Sequence, residues 1–334
     1  MINQISPIAI LGAGSWGTAL AIHLARAHQE VRLWAHTDSQ AKKLQTERSN
    51  EVYLLGCKFP DNLVVSNSLA TCLKDCSDIL LVVPSHAFRD TIHLIKPFIT
   101  SNSRLVWATK GLDPHRNILL SEVCHEILGN SIPLAVLSGP SFASELAQGL
   151  PTAITLSSTD ISLRDSLVQR FHHGALRVYA NNDLIGTQLG GAVKNVLAIA
   201  AGISDGLGFG ANAKAAIITR GVAEMERLVS AMGGQHNTVM GLAGIGDLVL
   251  TCTDDKSRNR RFGMLIGKGV SVDKALEQIK QVVEGFTTAQ QVYQLAQRYQ
   301  VDMPITTQVY GVLYQHTLPL KAVETLFARQ VKQE

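Results

Sequence analysis

Apolar residues in the first part of the chain gather in short unbroken runs: residues 7–11 (PIAIL), 78–83 (DILLVV), 104–108 (RLVWA) and 133–137 (PLAVL). A run of this length and continuity is the mark of a strand buried on both faces, as in a parallel sheet. Residues 30–35 supply a further strand, and 152–156 and 176–179 extend the sheet. Between them, 18–27 and 162–172 carry helical spacing, the latter polar on one face. Strands alternating with helices predict an α/β layer with a parallel sheet. Beyond residue 185 strand-like patterning largely disappears. Residues 187–203, 211–232, 288–299, 303 onward and 321–330 read as helices. The predicted organisation is two domains, 1–185 and an all-helical 186–334.

The helix predicted over 187–203, TQLGGAVKNVLAIAAGI, is apolar or small nearly all round, which marks a buried helix. Gly190, Gly191, Ala198 and Gly202 let neighbouring segments approach it closely. It carries a single charge, Lys194, beside Asn195. An ammonium removed from water needs a partner or a shifted pKa, and such lysines are good proton donors and acceptors. The plain alternative is a lysine that reaches the surface along its own stem. The segment 241–251, GLAGIGDLVLT, repeats the pattern with one carboxylate, Asp247. Asp247 is either a helix N-cap or the counter-ion of Lys194.

The first strand runs directly into Gly12-Ala13-Gly14-Ser15-Trp16-Gly17, and a helix follows. This is GxGxxG in the strand–helix context that binds dinucleotides. Gly12 permits the tight turn, Gly14 lets the backbone approach a pyrophosphate, and Gly17 allows the helix to pack on the strand. The 1–185 domain is therefore expected to be Rossmann-type. An acid that binds the ribose diol usually ends the second strand. Here that strand ends Trp34-Ala35-His36-Thr37, with Asp38 arriving late. NAD or NADP is expected as cofactor, with NADP accepted and His36 near its 2′-phosphate; His36 as an ordinary surface histidine is the alternative. The other strands end in Pro84-Ser85-His86, Thr109-Lys110-Gly111 and Ser138-Gly139-Pro140-Ser141. In open α/β sheets those carboxyl ends form the ligand crevice, so Lys110 is expected to meet a ligand, a solvated loop lysine being the alternative. Ser141 suits an N-cap for a helix over 142–148, whose start could also face the cofactor. Ser257-Arg258-Asn259-Arg260-Arg261 begins a helix with the fork geometry that grips phosphate, or forms a solvated basic turn. Arg220 and Glu224 are spaced for an i, i+4 pair.

Composition narrows the class. The chain has 334 residues, 46% hydrophobic and 17% charged, with a net charge of +3. That supports a large core and gives no basic block of the kind that binds nucleic acid. Five scattered cysteines without CxxC fit free thiols in a reducing compartment. No signal peptide, no membrane span and no HExxH-type metal motif is recognised, so a cytoplasmic protein with no resident metal is expected.

Taken together, these segments resemble the NAD(P)-dependent glycerol-3-phosphate dehydrogenases of the bacterial, soluble type. The resemblance rests on GAGSWGTALA from Gly12, VPSHAFR from Val83, ATKGLD from Ala108 and SGPSFASELAQGLPTA from Ser138. It continues through GGAVKNVLAIAAGISDGLGFGANAKAA from Gly190, GLAGIGDLVLTCT from Gly241, SRNRRFG from Ser257 and VVEG from Val282. One departure is visible: Leu55 of Tyr53-Leu54-Leu55-Gly56 stands where the family often has proline.

The resemblance implies a Rossmann-type domain followed by an all-helical domain like the C-terminal part of 6-phosphogluconate dehydrogenase, with the active site in the cleft. It implies hydride transfer between nicotinamide C4 and C2 of dihydroxyacetone phosphate or sn-glycerol 3-phosphate, serving phospholipid synthesis. Lys194 becomes the general acid–base, and Lys110 and Asp247 orient substrate and proton. Ser257, Arg258 and Asn259 match the substrate motif, and Gly139 and Ser141 the substrate side of the nicotinamide site. Beside the glycine turn, Ser15, Trp16, His36, Lys110, Ala143, Arg258, Val282 and Glu284 match cofactor positions. A homodimer is expected. A β-hydroxyacid or 6-phosphogluconate-type dehydrogenase is the nearest alternative, but those families space catalytic lysine and asparagine four apart, and here Lys194 and Asn195 are adjacent. A nucleotide-sensing protein without turnover would have little use for lone charges in two apolar segments.

Overall fold

The computed structural model describes residues 6–330. Strands β1 (Ile8–Leu11), β2 (Val31–Trp34), β5 (Leu63–Ser66), β6 (Asp78–Leu81), β7 (Arg104–Trp107), β8 (Leu134–Ser138), β9 (Thr152–Ser157) and β10 (Leu176–Asn181) form one sheet in the order β10-β9-β8-β7-β6-β1-β2-β5. A hairpin of β3 (Ser49–Asn50) and β4 (Leu54–Lys58) stands apart from it. Neighbours from β5 to β8 pair in parallel; β9 reverses against β8, and β10 runs parallel to β9. The carboxyl ends of β1, β2, β6, β7 and β8 thus share one edge. The short edge strand β5 is absent from the sequence-based reading: its apolar run is only the three residues Leu63–Val65, of which Val64 is exposed.

The helices are α1 (Ser15–Arg26), α2 (Asp38–Glu47), α3 (Leu69–Leu73), α4 (Ser85–Ile95), α5 (Leu120–Leu128), α6 (Ala143–Gln148) and α7 (Ile161–Phe171), then α8 (Leu184–Gly206), α9 (Ala211–Ala231), α10 (His236–Val239), α11 (Asp247–Thr253), α12 (Arg258–Gly267), α13 (Val272–Ile279), α14 (Glu284–Arg298), α15 (Pro304–Tyr314) and α16 (Pro319–Phe327). After β10 every regular element among the described residues is helical.

The chain folds as two compact units. The first runs to Thr109 and resumes over Leu120–Leu184; the second takes Lys110–Leu119 and everything from Ile185. A single cut after residue 185 therefore does not describe the division, since residues 110–119 join the helical unit. The contacts explain why. Leu112 and Leu119 lie in its apolar core, Gln291 donates to the Leu112 carbonyl at 3.2 Å, and Lys110 pairs with Asp247 at 2.5 Å.

In the first unit the apolar strands are covered by α1, α6 and α7 around one core cluster. At the amino end of the sheet Asp78, fully buried, accepts from Arg104 Nε and Nη2 at 2.6 and 2.7 Å. It also accepts from Arg170, which is itself tied to Gln29 and to the Ser6 carbonyl. Two guanidinium groups share this one carboxylate, and their remaining N–H groups are taken up by neutral acceptors: Ser166, Gln29 and the Ser6 carbonyl. In the second unit α8 forms the centre. By length and composition it could cross a membrane, yet nearly all of it is buried among the helices of its own unit. All five cysteines are free thiols.

Candidate active site

The lone charges of α8 and α11 meet. Gly190 explains how, since a Cβ there would lie 2.5 Å from the Ala243 carbonyl oxygen. The backbone of a π-helical turn over Leu242–Gly246 therefore rests directly on α8, and no other residue type would let it. Gly190 stands one turn before Lys194, and Ala243 one turn before Asp247. The close approach carries forward into a 3.0 Å ion pair between Lys194 Nζ and Asp247 Oδ1. Asp247 Oδ2 takes Lys110 Nζ at 2.5 Å, so one carboxylate holds two ammonium groups. Lys194 Nζ also donates to Thr251 Oγ1 at 2.8 Å, and that hydroxyl donates to the Asp247 carbonyl at 2.6 Å.

Lys194 is 8%, Asp247 2% and Thr251 5% exposed, so the pair is screened little by water. Burial pulls the Lys194 ammonium down to about 8; Asp247 opposes this and Lys110 reinforces it. Burial alone would raise the Asp247 carboxyl, but Lys110 and Lys194 together hold it below its ordinary range. The result is a carboxylate that stays ionised beside an amine that can gain or lose its proton near neutral pH. Two cations against one anion leave a net positive charge, which suits an anionic ligand.

Ser257 is the N-cap of α12, accepting from the Arg260 N–H at 3.2 Å. Arg258 follows; desolvation of its guanidinium lowers its pKa from the ordinary value, with the Glu284 carboxylate opposing the shift and Arg261 adding to it. Asn259 is 8% exposed; its Oδ1 accepts from the Gly285 N–H at 2.9 Å and its Nδ2 donates to Asn195 Oδ1 at 2.8 Å. Arg260 is a brace, clasping Asp205 through Nε and Nη2 at 2.8 and 2.6 Å. Helix α14 begins at Glu284, four residues before the start expected from its spacing, with Val283 as N-cap and Val282 exposed.

In the first unit the three glycines of the turn play three separate parts. Gly12 has φ +123°, and a Cβ there would lie 2.4 Å from the Val82 carbonyl oxygen. A Cβ at Gly17 would stand 2.0 Å from the Gly12 carbonyl oxygen, so this glycine lets α1 lie against the strand. Gly14 has open space, with no heavy atom within 4 Å of a Cβ position. No side chain caps α1, so its first N–H groups and its dipole serve an anion that enters this space. Ser15 and the half-buried Trp16 open the helix. His36 lies exposed past β2, its ring edge-on to Trp34 at 5.6 Å. The cradle therefore fits a dinucleotide pyrophosphate.

Matches to known proteins cover both units. Residues 7–164 match the family model of the NAD-dependent glycerol-3-phosphate dehydrogenase N-terminus, and residues 183–324 that of its C-terminus. The chain belongs to the NAD-dependent glycerol-3-phosphate dehydrogenase family. It is 54% identical over 326 residues to a glycerol-3-phosphate dehydrogenase (NAD(P)+) of Bartonella henselae, covering 97% of this chain and 96% of that one. A Yersinia pestis enzyme of the same description is 54% identical over 335 residues, covering 100% of this chain and 99% of its own. Among solved structures, glycerol-3-phosphate dehydrogenase from Coxiella burnetii superposes with a TM-score of 0.94 at 50% identity, covering 97% of this chain and 99% of that one.

The structure gathers Lys110, Lys194 and Asp247 into one cluster of the helical unit, and sets Ser257, Arg258, Asn259, Val282 and Glu284 at the starts of α12 and α14. The glycine turn, Ser15, Trp16, His36, Gly139, Ser141 and Ala143 lie in the first unit, at the carboxyl edge of its sheet. Ser141 does not cap α6: its hydroxyl donates to the Gly139 carbonyl at 2.8 Å, and Phe142 is the N-cap. Asp247 is not a cap either, because Gly246 holds that position and the lysines take the carboxylate. Leu55, the departure from the family pattern, is 79% exposed on β4 and bears on none of these groups.

Three contributors were missed from sequence. Thr251 sits four residues after Asp247, an i, i+4 neighbour that helical spacing could have flagged. Asn50 on β3 donates to the Ala13 carbonyl at 3.1 Å and to Thr18 Oγ1 at 2.8 Å, buttressing the glycine turn; nothing local signals it. Asn195 stands beside Lys194 in the sequence, but nothing there signals its bond to Asn259.

Proposed function

We infer that this chain interconverts dihydroxyacetone phosphate and sn-glycerol 3-phosphate with a nicotinamide cofactor, and that Lys194 is its general acid–base. The Lys110–Asp247–Lys194 cluster carries the assignment of Lys194. During reduction, negative charge grows on the C2 oxygen of the substrate. The Lys194 ammonium stabilises that charge and supplies the proton, and in the reverse direction its neutral amine removes it. Asp247 keeps the amine charged enough to donate, Thr251 fixes the direction of Nζ, and Lys110 adds a second cation at the same carboxylate. Nicotinamide, when bound, supplies or accepts the hydride at C4.

Arg258 grips the substrate phosphate, with Ser257 and Asn259 beside it at the start of α12. Gly139 and Ser141 border the substrate side of the nicotinamide. Gly12, Gly14 and Gly17, with Ser15 and Trp16, hold the pyrophosphate; His36, Lys110, Ala143, Arg258, Val282 and Glu284 complete the cofactor contacts. Strand β2 ends at Trp34 and runs on into Ala35 and His36 without an acid, so a 2′-phosphate meets no repulsion there and NADP is accepted as well as NAD. The enzyme works as a cytoplasmic homodimer that supplies glycerol 3-phosphate for phospholipid synthesis.

The test follows loss of reduced-cofactor absorbance with dihydroxyacetone phosphate, in parallel with NADH and NADPH. Wild type turns over; Lys194→Ala loses about a hundred- to ten-thousand-fold in kcat while still binding cofactor. A folded Lys194→Ala protein with wild-type turnover would overturn the assignment of Lys194 alone. A wild type that binds cofactor but reduces no dihydroxyacetone phosphate would overturn the activity.

A further inference from the structure

Three dipeptides of the helical unit share one arrangement: Lys194-Asn195 on α8, Arg258-Asn259 at the start of α12, and Glu284-Gly285 at the start of α14. In each, the first residue is charged and is assigned to a ligand by the function proposed above. In each, the second is buried and belongs to one chain of amide hydrogen bonds. The Gly285 N–H donates to Asn259 Oδ1 at 2.9 Å, Asn259 Nδ2 to Asn195 Oδ1 at 2.8 Å, and Asn195 Nδ2 to the Gly191 carbonyl at 3.3 Å. A backbone N–H begins this chain and a backbone carbonyl ends it. Neither amide can flip without setting donor against donor. Gly285 leaves no slack, since a Cβ there would stand 2.7 Å from the Asn195 carbonyl oxygen and 2.8 Å from Asn259 Oδ1.

The same two helices cross backbone against backbone. A Cβ at Gly202 would lie 2.0 Å from the Arg260 carbonyl oxygen, and one at Gly206 2.3 Å from that of Met264. From the other side, a Cβ at Gly263 would lie 2.2 Å from the Ile199 carbonyl oxygen, and one at Gly267 2.3 Å from that of Ile203. Glycine faces allow this separation, but being smooth they resist sliding weakly. A single buried polar contact is a well-attested way to set register between packed helices. Two such contacts tie α8 to α12, the Arg260–Asp205 bridge at the carboxyl end of α8 and the Asn195–Asn259 bond; of the two, the Asn195–Asn259 bond is the one that lies one residue along from both Lys194 and Arg258.

We propose that Asn195 is a positioning residue: acting through Asn259, it sets the spacing between the Lys194 proton donor and the phosphate grip at Arg258. One N–H of Asn259 Nδ2 is held by Asn195, which turns the other toward the substrate phosphate. Asn195 itself touches neither substrate nor cofactor. The proposal rests on the assignment of Arg258 and Asn259 to the phosphate.

The test is a double-mutant cycle in the full chain with Asn195→Ala, Asn259→Ala and the combined variant. Asn195→Ser, too short to reach Asn259, is the second variant should Asn195→Ala fail to fold. Asn195→Ala is expected to raise KM for dihydroxyacetone phosphate about tenfold, the usual worth of a hydrogen bond to a charged group. The Kd for NADPH and the pH at which kcat/KM declines should stay as in wild type, because Lys194 and its partners are untouched. In the Asn259→Ala background the Asn195 substitution should add less than about twofold. Multiplying effects would show that Asn195 acts on substrate by itself and would overturn the proposal, as would a wild-type KM in a folded Asn195 variant. If Asn259→Ala and Arg258→Ala both keep wild-type KM, the phosphate assignment has failed; if only the Asn195 variants do, the positioning role alone has.

Discussion

Replacing Asp247 by asparagine removes the charge that keeps Lys194 protonated while keeping the shape of the site. Lys194 Nζ and Asp247 Oδ1 lie 3.0 Å apart. At an effective dielectric constant of about 20, two unit charges at that separation attract by about 5 kcal/mol. One pH unit corresponds to about 1.4 kcal/mol, so even half of this attraction is worth about two pH units. In the wild type, burial and Lys110 have already brought the ammonium down to about 8 against the pull of Asp247. In Asp247→Asn both remain and the opposing pull is gone, so the Lys194 midpoint falls to about 6.

With Lys194 as the proposed proton donor, reduction needs the charged amine, so activity should be present below the midpoint and be lost as pH rises through it. The assay is kcat/KM for dihydroxyacetone phosphate from pH 5.5 to 9, because that ratio reports groups of the free enzyme. The basic limb should stand near pH 8 in wild type and near 6 in the variant, with a rate about twenty-fold lower at pH 7.5 that recovers in part at pH 6. The oxidative direction, which needs the neutral amine, should lose far less at pH 7.5. A folded Asp247→Asn enzyme whose limb stays near 8 would refute the claim that this carboxylate tunes Lys194.

Two further predictions test other parts of the molecule. Gly14 has ordinary φ, −80°, and open space around a Cβ position; Gly14→Ala should therefore keep the thermal midpoint of wild type and lose cofactor affinity by at least about tenfold. Gly17→Ala, whose Cβ meets the Gly12 carbonyl oxygen, should lose both, and equal behaviour of the two variants in calorimetry and cofactor titration would contradict the separate roles. Glu224, 1% exposed, accepts from the N–H groups of Ile305 and Thr306 and from the Thr306 hydroxyl, closing the start of α15. Burial pushes its carboxyl up to about 7, against those hydrogen bonds. Folding then takes up a proton between about 4.5 and 7, so this group's contribution to stability declines as pH rises through that window. Glu224→Gln should flatten the decline of Tm there, and an unchanged slope would count against Glu224 as its source.

What could be read from the chain alone is what short-range physics dictates. A strand buried on both faces must be continuously apolar, so the central strands β1, β6, β7 and β8 are visible as runs. The turn before α1 needs glycine for reasons of backbone shape, so the cofactor cradle was visible as a motif. A helix wrapped on all sides must be apolar all round, so Lys194 stood out as an exception requiring a reason, and Asp247 as its counterpart.

Tertiary structure alone decided the rest, because those contacts join residues that no local period connects. Lys194 and Asp247 are 53 positions apart, Lys110 and Asp247 137, and their meeting depends on where Gly190 admits the backbone of residue 243. The transfer of residues 110–119 into the helical unit follows from partners such as Gln291, far along the chain. The reversal of β9 against β8 leaves no trace in the pattern, since a strand reads the same in either direction. Asn50 and Asn195 are ordinary polar residues by sequence. Only burial, which removes water as an alternative partner, makes their few hydrogen bonds decisive for the shape of the site.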